Sequence, residues 1–217
     1  MFTIGHSTRP LGEMLGLLAA HSVSLLVDVR TVPRSRHNPQ FNRDDFPFAL
    51  ELAGIRYSHA AGLGGLRRTH PGSPNTGWRN ASFRGYADYM QTPEFAESLA
   101  WLIEQASRER VAIMCAEAVP WRCHRSLIAD ALVVHGIRAE EIASPARVSE
   151  HRLTSFAKVD GMTITYPPAG DAPANPSEAG QDALMLRRAL ALWENEGGTE
   201  ATEAKQPRTT RQERKRG

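Results

Sequence analysis

Two near-continuous apolar runs constrain the fold of this chain more than any other feature. Leu25–Val29 and Val111–Cys115 are short and almost wholly apolar, which is typical of strands buried on both faces of a parallel sheet. Three weaker runs, Phe2–Gly5, Ile55–Ser58 and Glu141–Ala143, complete a set of predicted strands.

Helical patterns lie between these strands. Apolar residues recur at helical spacing in Leu11–Ala20, Asp45–Ala53 and His124–His135. The Thr-Pro-Glu sequence at 92–94 begins a further helix, because a hydroxyl cap, a proline and an acid all suit a first turn. Strands that alternate with helices predict an α/β fold: a single three-layer domain with a short, mostly parallel sheet flanked by helices. Between the helices, 62–84 is predicted to be a long loop.

The α/β domain is predicted to span residues 1–168, because the composition changes beyond that point. Residues 169–181 are rich in Ala, Pro, Gly and Asp, which is typical of a linker. An amphipathic helix is predicted over 181–196, and the polar, basic end that follows is predicted to be disordered. Residues 169–217 therefore form a predicted tail with no core of its own.

The composition also indicates a compartment. The chain has two cysteines among 217 residues, too few for a disulfide framework. No stretch approaches the roughly 20 apolar residues that a membrane span needs, and the N-terminal residues lack the layout of a secretory signal. We therefore expect a cytoplasmic protein with no membrane partner.

Positive charge is concentrated in one part of the chain. The formal net charge is only +2, but residues 30–84 contain nine arginines against three acids. Such an excess predicts an anionic partner, either a small molecule or nucleic acid. A solvated arginine-rich surface is the alternative.

Polar residues stand at or just after the ends of four predicted strands. The carboxyl ends of parallel strands meet at one edge of a sheet, which is where α/β folds bind ligands. We therefore expect a functional site at this edge. Its contributors are His6 after the first strand, Asp28 and Arg30 at the second, His59 after the third, and Cys115 with Glu117 at the fourth.

Cys115 is the centre of the predicted site. It lies between a buried strand and a helix that begins near His124, with Arg122 and Arg125 close in sequence. A helix N-terminus and cationic side chains favour thiolate over thiol, and thus nucleophilicity. The alternative is that Cys115 is simply a small buried residue.

Cys123 and His124 allow two other interpretations. Together with Cys115, and with His6 or His59 as a fourth ligand, they form a set of soft donors suited to zinc. The spacing matches no recognised zinc-finger pattern, so no metal and no cofactor are predicted. Cys123 is alternatively a redox partner of Cys115.

Several short motifs together resemble one protein family, domain-of-unknown-function family 488. The resemblance covers roughly residues 1–168 and implies a cytoplasmic, bacterial-type protein with shared cysteines and a link to nucleic acid. The motifs are GHS (5–7), DVR…P (28–33), Gly-Ile-x-Tyr-x-His (54–59), LGG (63–65), Phe-x-x-Tyr-Ala-x-Tyr-Met (83–90), MCAE…CHR (114–125), His-x-Leu-Thr (151–154) and Ile-Thr-Tyr-Pro (164–167).

A looser likeness is to rhodanese-type sulfurtransferases and cysteine phosphatases. These also pair an Asp-x-Arg strand end with a cysteine at the end of a later strand, followed by an anion-binding loop and a helix. The loop after Cys115 is longer than theirs and contains Pro120, Trp121 and a second cysteine. The likeness is therefore one of architecture.

The preferred hypothesis is an enzyme-like domain, a cysteine-dependent transferase or hydrolase, that acts on an anionic substrate. Each candidate residue has a role in it. The catalytic candidates are Cys115, His6, Glu117 and Asp28. The substrate-binding candidates are Arg30, His59, Arg122, His124 and Arg125, and the candidate redox partner is Cys123.

The competing hypothesis is a nucleic-acid-binding module with structural cysteines. In it, the basic region 30–84 contacts phosphates, and aromatic residues such as Tyr57, Trp78 and Phe83 contact bases.

Overall fold

The computed structural model describes residues 1–168, which adopt an α/β fold with a six-stranded sheet and five α-helices. The helix predicted over 181–196 and the disordered end predicted after it lie outside the described residues. The sheet strands are β1 (Phe2–Gly5), β2 (Leu25–Asp28), β3 (Arg56–His59), β4 (Val111–Cys115), β5 (Glu140–Ser144) and β6 (Arg147–Glu150). A separate antiparallel hairpin is formed by β7 (Lys158–Asp160) and β8 (Thr163–Thr165). The helices are α1 (Leu11–Ala20), α2 (Phe46–Leu52), α3 (Ala81–Tyr89), α4 (Pro93–Arg108) and α5 (Arg125–Val134).

The sheet has the order β3-β2-β4-β1-β5-β6. Its first five strands pair in parallel, and only β6 is antiparallel to its neighbour. Gly5 pairs with Cys115, and Asp28 pairs with Met114. The carboxyl ends of β1, β2 and the central strand β4 therefore meet at one edge, as the sequence predicts.

Helices cover both faces of the sheet. Because side chains alternate along a strand, Leu26 and Met114 pack against α1 and α2, whereas Val27 and Cys115 face α3, α4 and α5. The predicted three-layer arrangement is confirmed. None of the helices in residues 1–168 is long and apolar enough to cross a membrane.

The start of α4 follows the sequence signal. The Thr92 hydroxyl accepts a 3.3 Å hydrogen bond from the backbone N–H of Phe95, and Pro93 is the first helical residue. Phe95, Leu99 and Leu102 form the buried stripe of this helix. A capped first turn and one apolar stripe thus fix both the beginning of α4 and its inner face.

The prediction of an unbroken loop over 62–84 is wrong at its end, because α3 begins at Ala81. The Asn80 side chain caps this helix by accepting a 2.8 Å hydrogen bond from Ser82 N–H. Gly85 stands inside the helix, where a Cβ would lie 2.5 Å from the backbone oxygen of Arg67. A glycine weakens the helical pattern in the sequence, but here it permits close contact between α3 and the preceding loop.

Strand ends differ slightly from the prediction. β2 ends at Asp28, one residue earlier than predicted, and β3 extends to His59. His59 is therefore the last residue of its strand. The antiparallel strand β6 and the β7–β8 hairpin consist largely of exposed, polar residues, so they carry no apolar run that predicts a strand.

Candidate functional site

Cys115, the last residue of β4, lies beside two other potential ligands or proton carriers. The Nδ1 atom of His124 is 3.9 Å from Sγ of Cys115 and 3.6 Å from Sγ of Cys123. The two sulfurs and the ring nitrogen all lie within 4.8 Å of one another. We call these three residues the Cys–His cluster.

The orientation of the His124 ring is fixed by a hydrogen bond at the ring nitrogen that does not face the sulfurs. Its Nε2 atom is 3.0 Å from the backbone oxygen of Val29, which follows β2. A carbonyl oxygen can only accept a hydrogen bond, so Nε2 carries hydrogen and donates. In the neutral imidazole, Nδ1 therefore presents its lone pair to the two sulfurs.

The loop between β4 and α5 is held in a tight conformation by its own groups. The Glu117 carboxylate accepts a 2.9 Å hydrogen bond from Val119 N–H, and the Glu117 carbonyl accepts one of 2.9 Å from the Arg125 guanidinium. Gly5 of β1 lies directly beneath, where a Cβ would be 2.0 Å from that same carbonyl oxygen. The predicted catalytic residue Glu117 thus shapes the loop.

A second loop covers the cluster. A Cβ on Gly65 would lie 2.5 Å from Nδ1 of His124. On another side, the Tyr86 ring lies 5.1 Å from the His124 ring, centroid to centroid, and its hydroxyl donates to the Leu63 carbonyl. Cys115 is consequently only 9% exposed. The LGG motif (63–65) is recognisable in the sequence, but nothing in its pattern indicates a contact with His124.

The two cysteines differ in acidity. A hydrogen bond from the Cys123 thiol, together with the nearby His124 and Arg125, holds the pKa of Cys115 well below its usual value. Burial, followed by the hydrogen bond to Cys115, raises the pKa of Cys123. The surroundings of the pair therefore favour negative charge on Cys115 and the proton on Cys123.

Arg125 lies behind the cluster rather than at the surface. Its side chain is fully buried, and its Nη2 is 3.3 Å from the Glu141 carboxylate of β5, which also accepts from the Thr3 hydroxyl. Its Nε has no hydrogen-bond partner among the described residues. Arg125 therefore anchors the loop and places positive charge near the sulfurs. Glu141 stands in the sequence only as the first residue of a weak strand, which gives no hint of this pairing.

Three other predicted residues form a separate network on the opposite face of the sheet. The Arg30 guanidinium donates to the Asp28 carboxylate at 2.6–3.1 Å and lies 3.2 Å from Nε2 of His6. His6 stacks on Phe41, which belongs to the core beneath α1 and α2. The Tyr57 hydroxyl also donates to Asp28.

This arrangement bears on the roles predicted for these residues. Burial and the neighbouring Arg30 lower the pKa of His6 to about 4. Asp28 is bonded to Arg30 and Tyr57 and does not contact the Cys–His cluster. His6, Asp28 and Arg30 share the sheet edge with Cys115, but their side chains leave the sheet on the other side, because successive strand residues alternate.

His59 and Arg122 lie at the periphery of the site. His59 donates from Nε2 to the Arg30 carbonyl at 2.8 Å and lines a shallow cavity of about 350 Å³ with Ser98 and Trp101. Arg122 is half-buried and makes no side-chain hydrogen bond or ion pair within residues 1–168. Among the predicted arginines, it is the one whose guanidinium remains available for a ligand.

The basic region 30–84 uses much of its charge and aromatic surface internally. The Arg67 guanidinium lies 3.6 Å above the Tyr89 ring and donates to backbone carbonyls of its own loop. Trp78 and Phe83 pack against each other with a ring separation of 4.8 Å, and Trp78 also contacts Tyr166.

Comparisons with known proteins complete the description of the site. No curated protein and no solved structure matches the sequence. Among protein families, one matches residues 10–132, a segment that covers more than half of the chain and includes all three residues of the Cys–His cluster. The chain belongs to that family, which is described as Domain of unknown function DUF488.

Proposed function

We propose that the chain is an enzyme whose reacting group is the Cys115 thiolate, and that it transfers or cleaves a group on an anionic substrate. One observation carries the proposal: the Cys115 sulfur is grouped with a second thiol and an oriented imidazole at the carboxyl end of the central strand. Nucleophilic cysteines in α/β enzymes require a proton acceptor or donor of this kind within reach.

The cluster supplies each part of this chemistry. The thiol of Cys123 stabilises negative charge on Cys115, and the Nδ1 atom of His124 can accept or return a proton at either sulfur. The first turn of α5 places its positive dipole end at the same point. Arg125 contributes positive charge from beneath while holding the loop, so its role is positioning.

The rim of the site matches a substrate with both charged and apolar parts. Arg122 offers a guanidinium without a partner in the described residues, and the neighbouring Trp121 is 69% exposed. Leu66, which is also exposed, lies on the loop that covers His124. Its backbone N–H donates to the Thr31 hydroxyl, so the loops after β2 and β3 meet beside the cluster.

The nucleic-acid hypothesis has less support from side-chain positions. The Tyr57 hydroxyl is bonded to Asp28, and Trp78 packs against Phe83, Phe156 and Tyr166, so both side chains already have partners within the fold. Binding to mixed-sequence double-stranded DNA, measured at low and at moderate salt, separates the two classes. Salt-sensitive binding that weakens when Arg67 and Arg68 are both changed to Gln supports the module.

Alkylation of the reduced, chelator-treated full-length chain tests the enzyme proposal. We expect Cys115 to react before Cys123 in the native protein, as read by peptide mass spectrometry. The anionic reagent iodoacetate should be favoured over neutral iodoacetamide, relative to a free thiol, because Arg122 attracts the carboxylate.

Two variants sharpen this test. Arg122→Gln should remove the preference for iodoacetate, whereas Arg152→Gln, an exposed arginine beyond the sheet, should leave it unchanged. If Cys115 is alkylated only after denaturation, it is a core residue and the proposal fails. If Cys115 of the unaltered chain reacts natively with no preference for iodoacetate, the anionic-substrate part fails.

A further inference from the structure

We infer that Cys115, Cys123 and His124 form a binding site for a thiophilic divalent cation, best suited to zinc, with three protein ligands and an open fourth position. The inference goes beyond the proposed function and does not rest on it, because Cys115 is a ligand when zinc is bound, whereas the proposed nucleophile is the Cys115 thiolate of the metal-free chain. Metal binding itself can be measured without any substrate.

The two nitrogen–sulfur distances of the cluster are those of a tetrahedral site. Zinc–sulfur bonds of about 2.3 Å and zinc–nitrogen bonds of about 2.0–2.1 Å, at the tetrahedral angle, separate the two ligand atoms by about 3.6 Å. The distances from His124 Nδ1 to the two sulfurs are 3.6 and 3.9 Å. The two sulfurs and the nitrogen all lie within 4.8 Å of one another, so one zinc ion can be held by all three atoms.

The chemistry of the donors selects the class of metal. Two thiolates and one imidazole are soft to borderline ligands, which favour zinc and disfavour magnesium or calcium, whose preferred ligands are oxygens. Two carboxylates linked to the loop of the cluster have other partners: Glu117 is bonded to Val119 N–H, and Glu141 to Arg125 and Thr3. The site therefore offers no oxygen-rich environment for a hard cation.

Groups around the cluster support the ligands as they do in metal centres. Histidine ligands commonly donate their other ring N–H to a carbonyl or carboxylate, and His124 donates from Nε2 to Val29 at 3.0 Å. This hydrogen bond fixes the ring so that Nδ1 faces both sulfurs.

The described residues provide three ligands at this point and no fourth. His6 and His59, the fourth ligands considered from the sequence, are bonded to Arg30 groups instead. Structural zinc sites are closed by four protein ligands, whereas catalytic sites keep one position for water or substrate. Within the described residues, the number of ligands thus leaves one coordination position for water or an added ligand.

Zinc binding to the untagged, reduced full-length chain tests this inference. We expect one equivalent of zinc by isothermal titration calorimetry, and a thiolate-to-metal absorption band when cobalt(II) is substituted. Replacing a ligand (Cys123→Ser or His124→Gln) should weaken binding by more than about 100-fold, because loss of an outer-shell contact alone weakens metal binding about 10–100-fold.

Two controls keep the test decisive. His135→Gln changes a histidine at the far end of α5 and should bind zinc as the unaltered chain does. Should a ligand variant fail to fold, the unaltered chain still tests the metal site. Bound zinc should protect both of its cysteines from alkylation, and a chelator should restore the reaction.

The possible outcomes separate the two proposals. The metal site is overturned if the reduced chain binds no stoichiometric zinc. It is also overturned if a Cys115–Cys123 disulfide forms spontaneously and its reduction does not produce a zinc-binding chain. If Cys115 of such a metal-free chain still reacts natively with iodoacetate, the proposed function stands. If zinc binds but the chelator-treated chain shows no native reaction at Cys115, the proposed function fails and the metal site remains.

Discussion

At the scale of single residues, each of the two buried arginines of the sheet edge is paired with a carboxylate of the fold. Arg30 is bonded to Asp28, and Arg125 to Glu141, each within a buried network. Removing one partner of a buried ion pair leaves an uncompensated charge and costs about 3–5 kcal/mol. An arginine that follows a strand thus resembles an anion clamp in the sequence, although its charge is already neutralised in the fold.

Gly65 provides a test at this scale, because its lack of a side chain leaves room for His124. A Cβ there would lie 2.5 Å from Nδ1, so Gly65→Ala should displace the ring or the loop. We expect slower native alkylation of Cys115 and weaker zinc binding than in the unaltered chain. Alkylation kinetics and calorimetry measure the two effects.

The matched control is Gly16→Ala in α1. Nothing lies within 4 Å of a Cβ at Gly16, and alanine in an exposed helical position stabilises a protein by about 0.5–1 kcal/mol relative to glycine. Gly16→Ala should therefore raise the melting temperature and leave the cluster unchanged. Equal reactivity of Cys115 in both variants would show that Gly65 does not support the site.

At the scale of elements, sequence signals succeed where burial and capping agree. β2 and β4 are apolar because both of their faces are covered, and α4 combines a cap, a proline and a buried stripe. The helix α3 is not predicted because Gly85 weakens its helical pattern, and the strands β6 to β8 are not predicted because their residues are largely polar or exposed. Tertiary contacts fix these elements, and their intrinsic patterns are weak.

The cap of α4 yields the prediction for this scale. Thr92→Ala removes the hydroxyl that accepts from Phe95 N–H, and the free energy of unfolding should fall by about 1 kcal/mol. For a domain of this size the melting temperature should fall by roughly 2–4 °C. Thr92→Ser retains the hydroxyl and should behave nearly as the unaltered chain. Calorimetric melting of the three proteins decides the question, and equal losses in both variants would contradict the capping role.

At the scale of the whole molecule, the sheet separates two buried polar networks that the sequence places together. Strand ends correctly predict that His6, Asp28 and Cys115 share one edge. The face of the sheet that each side chain occupies depends on the register, in which Asp28 pairs with Met114 and not with Cys115. Register follows from packing on both faces, so the sequence alone could predict the edge but not the two separate sites.

The network under α1 and α2 makes stability depend on pH. The pKa of His6 is lowered to about 4 in the folded protein from 6.5. Between these values the unfolded chain binds a proton that the folded chain does not, so the free energy of unfolding falls as the pH is lowered. From about pH 7 to about pH 5 this single group should remove about 2 kcal/mol.

Urea unfolding of the unaltered chain and of His6→Gln at both pH values measures this contribution as the difference between the two proteins. The variant has no group to protonate at this position, so its stability should fall less on acidification. Hydrogen bonds from Ser73 and Asn75 lower the pKa of Asp88 against the effect of burial. Its contribution to the free energy of unfolding is lost only as the pH falls below its ordinary pKa of 3.8, so Asp88 does not affect stability between about pH 5 and pH 7. A parallel loss in both proteins would show that His6 takes up its proton without disturbing Arg30 and Phe41, and the buried network would then contribute nothing to acid sensitivity.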